Sequence, residues 1–245
     1  MAIQKDTGIV LRVFDIRRSS KIASIYTRRF GKISGLFKGF YTHPDYFITS
    51  LDCLTVNELV FYERPNELWL VSAAYLRKDF SFSQDLDKYF TASNIAEFVD
   101  KNLALHKPQE EIYNLLYQSL SALQQTPSHR ILFAFKVKIL RCLGISPVLN
   151  QCSVCKKDLV GAYFFSLKSG GVVCDKCAGG GDNTIMKISS QTLKIIEFIK
   201  TKPFAECLRL NISPGTQKDL FALLDKFTEY HLGTKIKSNT LLPYA

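Results

Sequence analysis

Four of the seven cysteines lie in two C-x-x-C pairs, Cys152 with Cys155 and Cys174 with Cys177. Each C-x-x-C turn places two sulfurs on one side of a knuckle, and a hairpin that turns at Gly170–Gly171 would bring the two knuckles together. Four thiolates at ~2.3 Å from one ion are the usual tetrahedral set for Zn²⁺. The spacing C-x2-C-x18-C-x2-C therefore predicts one zinc ion, held by these four residues.

Other cysteine chemistries fit this spacing less well. A redox pair needs a single C-x-x-C at a strand–helix junction. A catalytic zinc keeps an open position and usually has a histidine or carboxylate ligand. Zinc deaminases carry H-x-E before P-C-x-x-C, whereas His129 is followed by Arg-Ile and Pro147 is not next to a cysteine. The site is predicted to be closed and structural, and the other cysteines (Cys53, Cys142 and Cys207) are predicted to be core thiols.

No second constellation with catalytic spacing is recognisable. His43, His106, His129 and His231 are scattered, and the chain has no GxSxG, Walker loop or HExxH pattern. The prediction is that the protein is not an enzyme. An enzyme with an unrecognised site is kept as an alternative, which turnover of a labelled strand by the pure protein would establish.

Positive charge is concentrated near the start of the chain. The net charge is +10, and residues 1–40 hold nine Lys/Arg against two acids. Such an excess favours polyanions, namely nucleic acid or an anionic membrane. The start MAIQKDTGIV does not resemble a signal peptide and no apolar run approaches the ~18 residues of a membrane span. We therefore expect a cytoplasmic protein, associated with the nucleoid and not with a membrane.

Aromatic residues alternate with the cations in this basic segment. Binding of nucleic acid without a sequence code needs cations for the phosphates and flat rings for the bases. Phe14 and Tyr26 lie within predicted strands and are expected in the core. The predicted DNA-binding residues are Arg12, Arg17, Arg18, Lys21, Arg28, Arg29, Lys32 and Lys38, with Phe30, Phe40 and Tyr41 as stacking candidates.

The elements that must position these residues fall into two blocks. Residues 1–80 read as five short strands with turns, including one at Gly31 and one at Pro65–Asn66. Five such strands predict a small closed barrel, with an OB-fold as the first choice and an SH3-like barrel as its rival. Residues 81–245 read as helices, with the cysteine module inserted at 150–180 and a loose basic tail. The predicted class is α+β.

The third predicted helix, HRILFAFKVKILRCLG, carries three cations on roughly one face: Arg130, Lys138 and Arg141. They could form the basic rim of a groove for an acidic partner tail, and a solvated helix face explains them equally well.

Several segments together resemble the RecO family of bacterial recombination mediators. GIVLRVFDIRRSSKIASIYTRRFGKISGLFKGF is similar to the family's N-terminal barrel. FKVKILRCLGISPVLNQCSVC and FFSLKSGGVVCDKC are similar to its helical domain and zinc module, and TEYHLGTKIKS to its last helix and tail. The resemblance covers nearly the whole chain in the right order.

The resemblance implies a non-enzymatic protein with an OB-fold, a helical domain and a structural four-cysteine zinc site. It implies binding of single- and double-stranded DNA and annealing of complementary strands. It also implies binding of the acidic C-terminal tail of the single-strand-binding protein and, together with RecR, help in loading the recombinase RecA.

One segment departs from the family pattern. Members often have further basic residues after the KG of GKISGLFKG, where this chain has FYTHPDYF. We therefore expect that DNA either does not contact residues 40–47 or contacts them more by stacking than by charge. A zinc-stabilised OB-fold module that binds RNA is the alternative function, and filter binding with competing DNA and RNA separates the two.

Overall fold

The computed structural model describes residues 3–62, 68–80, 82, 84–159, 163–179 and 183–244. The predicted turn at Pro65–Asn66 lies outside these residues, and so does most of GGGD at 179–182, whose composition predicts a flexible exit from the cysteine module. The chain forms two compact units, Met1–Gln125 and Thr126–Ala245. The first unit therefore extends beyond the predicted barrel and includes two helices.

The first unit is built on a closed barrel. Its described strands are β1 (Ile3–Ile16), β2 (Ser20–Thr27), β3 (Gly31–Phe37), β4 (Phe47–Ile48), β5 (Thr55–Tyr62) and β6 (Trp69–Asp79). They follow the order β3-β2-β1-β5-β6-β4, and β3 also pairs in parallel with β6, with Gly35 opposite Trp69. This pairing closes five strands into a ring, as an OB-fold requires. The predicted barrel is confirmed, and the two-residue strand β4, which lies alongside β6, is an addition to it.

A bulge in β1 decides which side chains enter the barrel. The pairing of β1 with β2 shifts between Val10 and Arg12. One extra residue in a strand reverses the inward and outward alternation beyond it. Val10 is buried in the core and Val13 packs against it, so Phe14 points outward and is 50% exposed. The prediction that Phe14 is a core residue is wrong, whereas Tyr26 is buried as predicted.

Two helices complete the first unit, α1 (Leu86–Asn102) and α2 (Glu110–Leu123). The Asp85 side chain caps α1 by accepting from the Lys88 amide at 3.1 Å. The loop between the helices approaches the β2–β3 turn so closely that a Cβ at Gly31 would lie 2.6 Å from the Lys107 carbonyl. Gly31 has φ +68, as the turn prediction expects.

The second unit combines helices with a small sheet. Its described elements are α3 (Ser128–Cys142), β7 (Tyr163–Ser166), β8 (Gly171–Val173), α4 (Asp175–Ala178), β9 (Ile185–Ile188), α5 (Ser190–Thr201), α6 (Phe204–Cys207), α7 (Pro214–Leu232) and a 3₁₀ helix (Lys237–Leu241). The sheet has the order β8-β7-β9. The predicted α+β class, with a cysteine module between helices, is confirmed.

Capping residues that can be recognised in the sequence mark several helix ends of this unit. Ser189 caps α5, where its hydroxyl accepts from the Thr192 amide at 3.0 Å. Gly233, with φ +63, ends α7. At α3 the sequence favours Ser128 as the N-cap, since serine is a preferred capping residue, but the cap position is Pro127, one residue earlier.

The C-terminal tail is packed, so the prediction of a loose tail is wrong. Ile236 and Leu242 are buried, and the Tyr244 ring lies 5.7 Å from the Phe133 ring and 6.1 Å from the Phe221 ring. The tail packs over α3 and α7 because this packing removes the apolar side chains from water.

Candidate metal centre and nucleic-acid interface

The four predicted ligands come together in the second unit. One sulfur from each of Cys152, Cys155, Cys174 and Cys177 lies within 4.8 Å of the other three. The Sγ atoms of Cys155 and Cys174 are 3.8 Å apart. A tetrahedron with Zn–S bonds of ~2.3 Å has S···S edges of ~3.8 Å, so the Cys155–Cys174 distance matches one edge of a zinc site with four thiolate ligands.

Backbone hydrogen bonds shape both knuckles. The Cys152 amide donates to Lys157 O at 2.9 Å, and the Lys156 amide donates to Cys152 O at 2.9 Å. Lys156 takes φ +62 to make this reversal. In the second knuckle Cys174 precedes α4, and its amide donates to Cys152 Sγ at 3.5 Å. These hydrogen bonds set the shape of each knuckle and the direction of its sulfurs.

The amides that surround Cys152 favour its thiolate. Burial by itself raises the pKa of this thiol, but the amide N–H groups of Cys155, Cys174 and Val154 bring the pKa down to about 6. The Cys174 side chain and burial instead raise the pKa of Cys177 to about 12. Thiolates this close repel one another, so a cation among them is needed for all four to ionise.

The hairpin between the knuckles joins distant parts of the second unit. The Val148 amide donates to Gly170 O at 3.0 Å, and the Val172 amide donates to Val148 O at 2.9 Å. A Cβ at Gly171 would lie 2.4 Å from Val148 O, so the predicted glycine turn is also a close contact. The Phe165 ring of β7 lies 5.6 Å from the Phe227 ring of α7. An ion at the knuckles would thus hold a module that is packed on α7.

The three remaining cysteines differ in burial. Cys207 is buried, as predicted, and Cys142 is half-buried. Cys53 is exposed, so its prediction as a core thiol is wrong.

Several of the predicted DNA-binding cations have partners inside the first unit. The Arg12 guanidinium lies 3.0 Å from Asp100 Oδ2 on α1, and Arg28 Nε donates to Glu110 Oε1 at 2.9 Å on α2. Lys32 is buried and donates to the Asp100 carbonyl, and burial lowers its pKa. The fold therefore does not present an uninterrupted basic surface from Arg12 to Lys38.

Lys21 is also removed from the surface. It is buried, its ammonium donates to Ser50 O at 3.0 Å, and it lies 4.7 Å from the centre of the Phe40 ring. Phe40 itself is 9% exposed and belongs to the barrel core. Neither side chain is placed to meet a nucleic acid, which corrects the prediction for both.

The other cations remain exposed and form no ion pair with the described residues: Arg17, Arg18, Arg29 and Lys38. Arg17 and Lys38 line one groove of about 670 Å³ together with His43. Arg29 lies elsewhere, with its guanidinium 5.4 Å from the Phe30 ring. The groove is therefore lined by two exposed cations and by the His43 ring.

Hydrogen bonds fix the two loops that form this rim. The Tyr41 amide donates to Ser19 O at 3.3 Å, and the Gly39 amide donates to Ser20 Oγ at 3.1 Å. They join the β1–β2 turn to the segment after β3. Arg17 has φ +55, a sparsely populated conformation for a side chain of this size. The turn thus holds this arginine at the groove at some conformational cost.

The stacking candidates are divided by the fold. Phe30 is half-buried and packs edge-on against Phe61 at 5.4 Å and Trp69 at 5.5 Å. Tyr41 is 53% exposed, and its hydroxyl donates to Asp15 Oδ1 at 2.6 Å. Of the three, only Tyr41 keeps an accessible ring.

Sequence reasoning missed two exposed rings, Phe14 and Tyr46. The bulge that turns Phe14 outward has no signal in the sequence. Tyr46 could have been found, because it lies in the polar, proline-containing segment THPDYF.

The predicted partner rim on α3 is used within the second unit. Arg130 donates to Leu208 O at 3.1 Å, Lys138 to Ile199 O at 3.0 Å, and Arg141 to Lys200 O at 3.3 Å. The Ile199 and Lys200 carbonyls lie in the last turn of α5, and Leu208 directly follows α6, so all three cations lie at helix C-termini, where a cation is favourable. Arg141 is the exposed member of the three.

No helix in the described part of the chain is both long and apolar enough to cross a membrane.

Two family models match the chain. Residues 1–80 match the model described as Recombination protein O N terminal, and residues 83–240 match Recombination protein O C terminal. The chain is 28% identical over 244 residues to a DNA repair protein RecO of Desulforamulus reducens, covering 99% of this chain and 94% of that protein.

Two further relatives carry the same name. The protein of Pelotomaculum thermopropionicum is 28% identical over 243 residues, covering 99% of this chain and 94% of its own length. The protein of Syntrophus aciditrophicus is 27% identical over 247 residues, covering 98% and 95%. The similarity thus spans both units.

Proposed function

The chain belongs to the recombination protein O family, and we propose on this basis that it is a DNA repair protein that binds DNA through the barrel of its first unit. The observation that carries the proposal is the groove that holds Arg17 and Lys38. Their charges have no carboxylate partner among the described residues, unlike those of Arg12 and Arg28. Exposed, unpaired cations are the ones that phosphates can engage.

Binding of this kind is independent of sequence. Phosphates that contact Arg17, Arg18 and Lys38 release their counterions, and this release supplies most of the affinity. The same surface accepts single-stranded and double-stranded DNA. Because neutralised strands repel each other less, the protein promotes annealing of complementary strands.

The wider role follows the family. The protein binds the acidic C-terminal tail of the single-strand-binding protein and, with RecR, helps to load RecA on coated strands. The tail would meet a basic rim, for which Arg141 with Arg130 and Lys138 remain the candidates. The protein acts by binding, without catalysing a reaction, in the cytoplasm at the nucleoid.

The four cysteines are proposed to hold one Zn²⁺ ion. In the usual tetrahedral geometry, the four cysteine sulfurs would occupy every position of the ion and would leave none for a reacting water. When bound, the ion supplies cross-linking between the two knuckles. The remaining stabilisation of the module comes from the chain itself, because the hairpin packs against Val148 and α7.

The salt dependence of DNA binding tests the surface. A variant that combines Arg17→Ala, Arg18→Ala and Lys38→Ala should lose up to three phosphate contacts with a single strand. The slope of log Kobs against log[salt] should flatten by ~0.7 for each lost contact. At about 0.1 M salt this corresponds to roughly fivefold weaker binding per contact, and to about 100-fold for three.

Fluorescence anisotropy of a labelled single-stranded oligonucleotide, measured over a range of salt concentrations, gives both quantities. Arg28→Ala is the matched control, because this exposed arginine is paired with Glu110. An unchanged slope in the triple variant, or an equal loss in the control, would show that DNA binds elsewhere. Annealing of complementary strands coated with single-strand-binding protein tests the wider role.

A further inference from the structure

An apolar row crosses the outer face of the barrel. Phe14 lies opposite Ile22, Ile22 opposite Leu36, and Leu36 opposite Leu70. Directly opposed residues project from the same face of a sheet. The neighbour Phe37 points into the core, so this row points outward. It runs over β1, β2, β3 and β6, with Phe14 half-exposed and the other three partly so.

The row runs into the groove described above. Ile22 and Leu36 line this groove together with Arg17, Lys38 and His43. A volume of about 670 Å³ is typical of sites that hold small organic groups. The groove therefore combines an apolar floor with a cationic rim.

Phe14 is held in place at the far end of the row. The Arg12 guanidinium lies 4.8 Å from the centre of its ring, and the same guanidinium is fixed by Asp100. A cation at this distance orients an aromatic ring through a cation–π contact. One face of the ring is thus supported within the protein, and half of the side chain is open to solvent.

Binding of DNA through its phosphates alone does not require apolar side chains on the floor of the groove. In a duplex the faces of the bases are stacked inside the helix, whereas an unpaired strand exposes them. Aromatic and apolar side chains next to cations are the combination that binds single strands, since bases rest on the apolar groups while phosphates meet the cations.

We infer that the row from Phe14 to Leu70 is a platform for the unpaired bases of single-stranded DNA, with Arg17 and Lys38 holding the phosphates beside it. The row makes this surface prefer a single strand to a duplex, and Phe14 is the residue that contributes most to that preference. The inference rests on the proposed function and adds the form of DNA that the site selects.

The first test varies the ligand and leaves the protein intact. Anisotropy is measured with labelled oligothymidylate, with a strand of equal length whose central nucleotides are abasic, and with a duplex of the same length. All three carry phosphates, but only oligothymidylate offers free base faces. Oligothymidylate is expected to bind about fivefold or more tightly than the other two ligands, since stacking of one base raises the affinity by at least that factor.

The second test varies the platform. Phe14→Ala should weaken oligothymidylate binding by about fivefold or more and leave the abasic strand and the duplex unchanged. Phe14→Tyr, which keeps the ring, should retain tight binding. Tyr89→Ala is the matched control, because Tyr89 is an exposed aromatic residue on α1 outside the row. Circular dichroism verifies that each variant is folded.

The outcomes separate the two hypotheses. If none of the three ligands binds, the proposed DNA binding fails and the inference with it. If all three bind equally to the intact protein, or Phe14→Ala weakens all three alike, the base platform is refuted while DNA binding stands. Because the ligand series uses the intact protein, it remains decisive even if a variant does not fold.

Discussion

A lysine buried in the second unit should make the stability of this protein depend on pH in the alkaline range. Lys136 on α3 is 2% exposed. Its ammonium donates to Asn239 Oδ1 at 3.2 Å and lies 4.7 Å from the centre of the Phe221 ring. Asn239 in turn donates to Asp225 on α7. Burial lowers the pKa of Lys136 from 10.5 to about 8, although Asp225 acts in the opposite direction.

The magnitude follows from the pKa difference between the folded and unfolded states. Below pH ~8 both states are protonated, and the folded state bears the full penalty of a buried charge. A difference of 2.5 pH units between 10.5 and about 8 corresponds to about 3 kcal/mol. Between these values the unfolded state binds more protons, so stability rises with pH. The gain is about 1.3 kcal/mol from pH ~7 to ~9 and about 2.5 kcal/mol by pH ~10.

Lys136→Met removes the titrating group and nearly keeps its volume. Urea unfolding followed by circular dichroism, at several values between pH ~7 and ~10, gives the free energy of unfolding of each protein. The difference between the unaltered protein and Lys136→Met should grow in favour of the unaltered protein by about 2.5 kcal/mol over this range. Contributions that do not depend on pH cancel in this comparison.

Lys226→Met on α7 is the matched control, because Lys226 is exposed and its replacement removes one charge from the same unit. Burial raises the pKa of the other ionisable partner, Asp225, although the charge of Lys136 acts in the opposite direction. If the Lys136→Met difference stays flat with pH, or Lys226→Met shows the same slope, Lys136 is not buried as a charged group.

Two further predictions concern the metal centre and the barrel. Cys152→Ser should reduce bound zinc from one ion per chain to near zero and lower the melting temperature, as measured by metal analysis and calorimetry; retained stability without zinc would contradict a structural role. In the barrel, Phe40→Ala should destabilise by about 3–5 kcal/mol because it leaves a cavity, whereas Phe14→Ala should lose under about 1 kcal/mol. Similar losses in urea unfolding would mean that the bulge in β1 does not turn Phe14 outward.

The structure of the cysteine module could largely be predicted from its local sequence. The clustering of its four cysteines and its hairpin could be predicted from the spacing of Cys152 to Cys177 and from Gly170–Gly171. These features involve residues within one short segment, so their geometry is set by turns that the sequence encodes directly. The helix ends at Ser189 and Gly233 were predictable for the same reason.

The exposed residues of the predicted DNA-binding surface could not be predicted in the same way. The sequence identified the cluster of cations, but it did not show which of them would be neutralised. Arg28 pairs with Glu110, 82 residues further along the chain, and Arg12 pairs with Asp100 on α1. These partners come from helices that were expected to belong to another domain.

The barrel, the cluster of four cysteines and the basic segment could all be predicted from the sequence, because each rests on a periodicity, a spacing or a composition. Which side chains the basic segment exposes depends instead on how the chain packs. One bulge in β1 turned Phe14 outward, packing buried Phe40, and carboxylates on α1 and α2 paired with Arg12 and Arg28. Burial and long-range pairing depend on neighbours that are distant in sequence, so no local pattern records them.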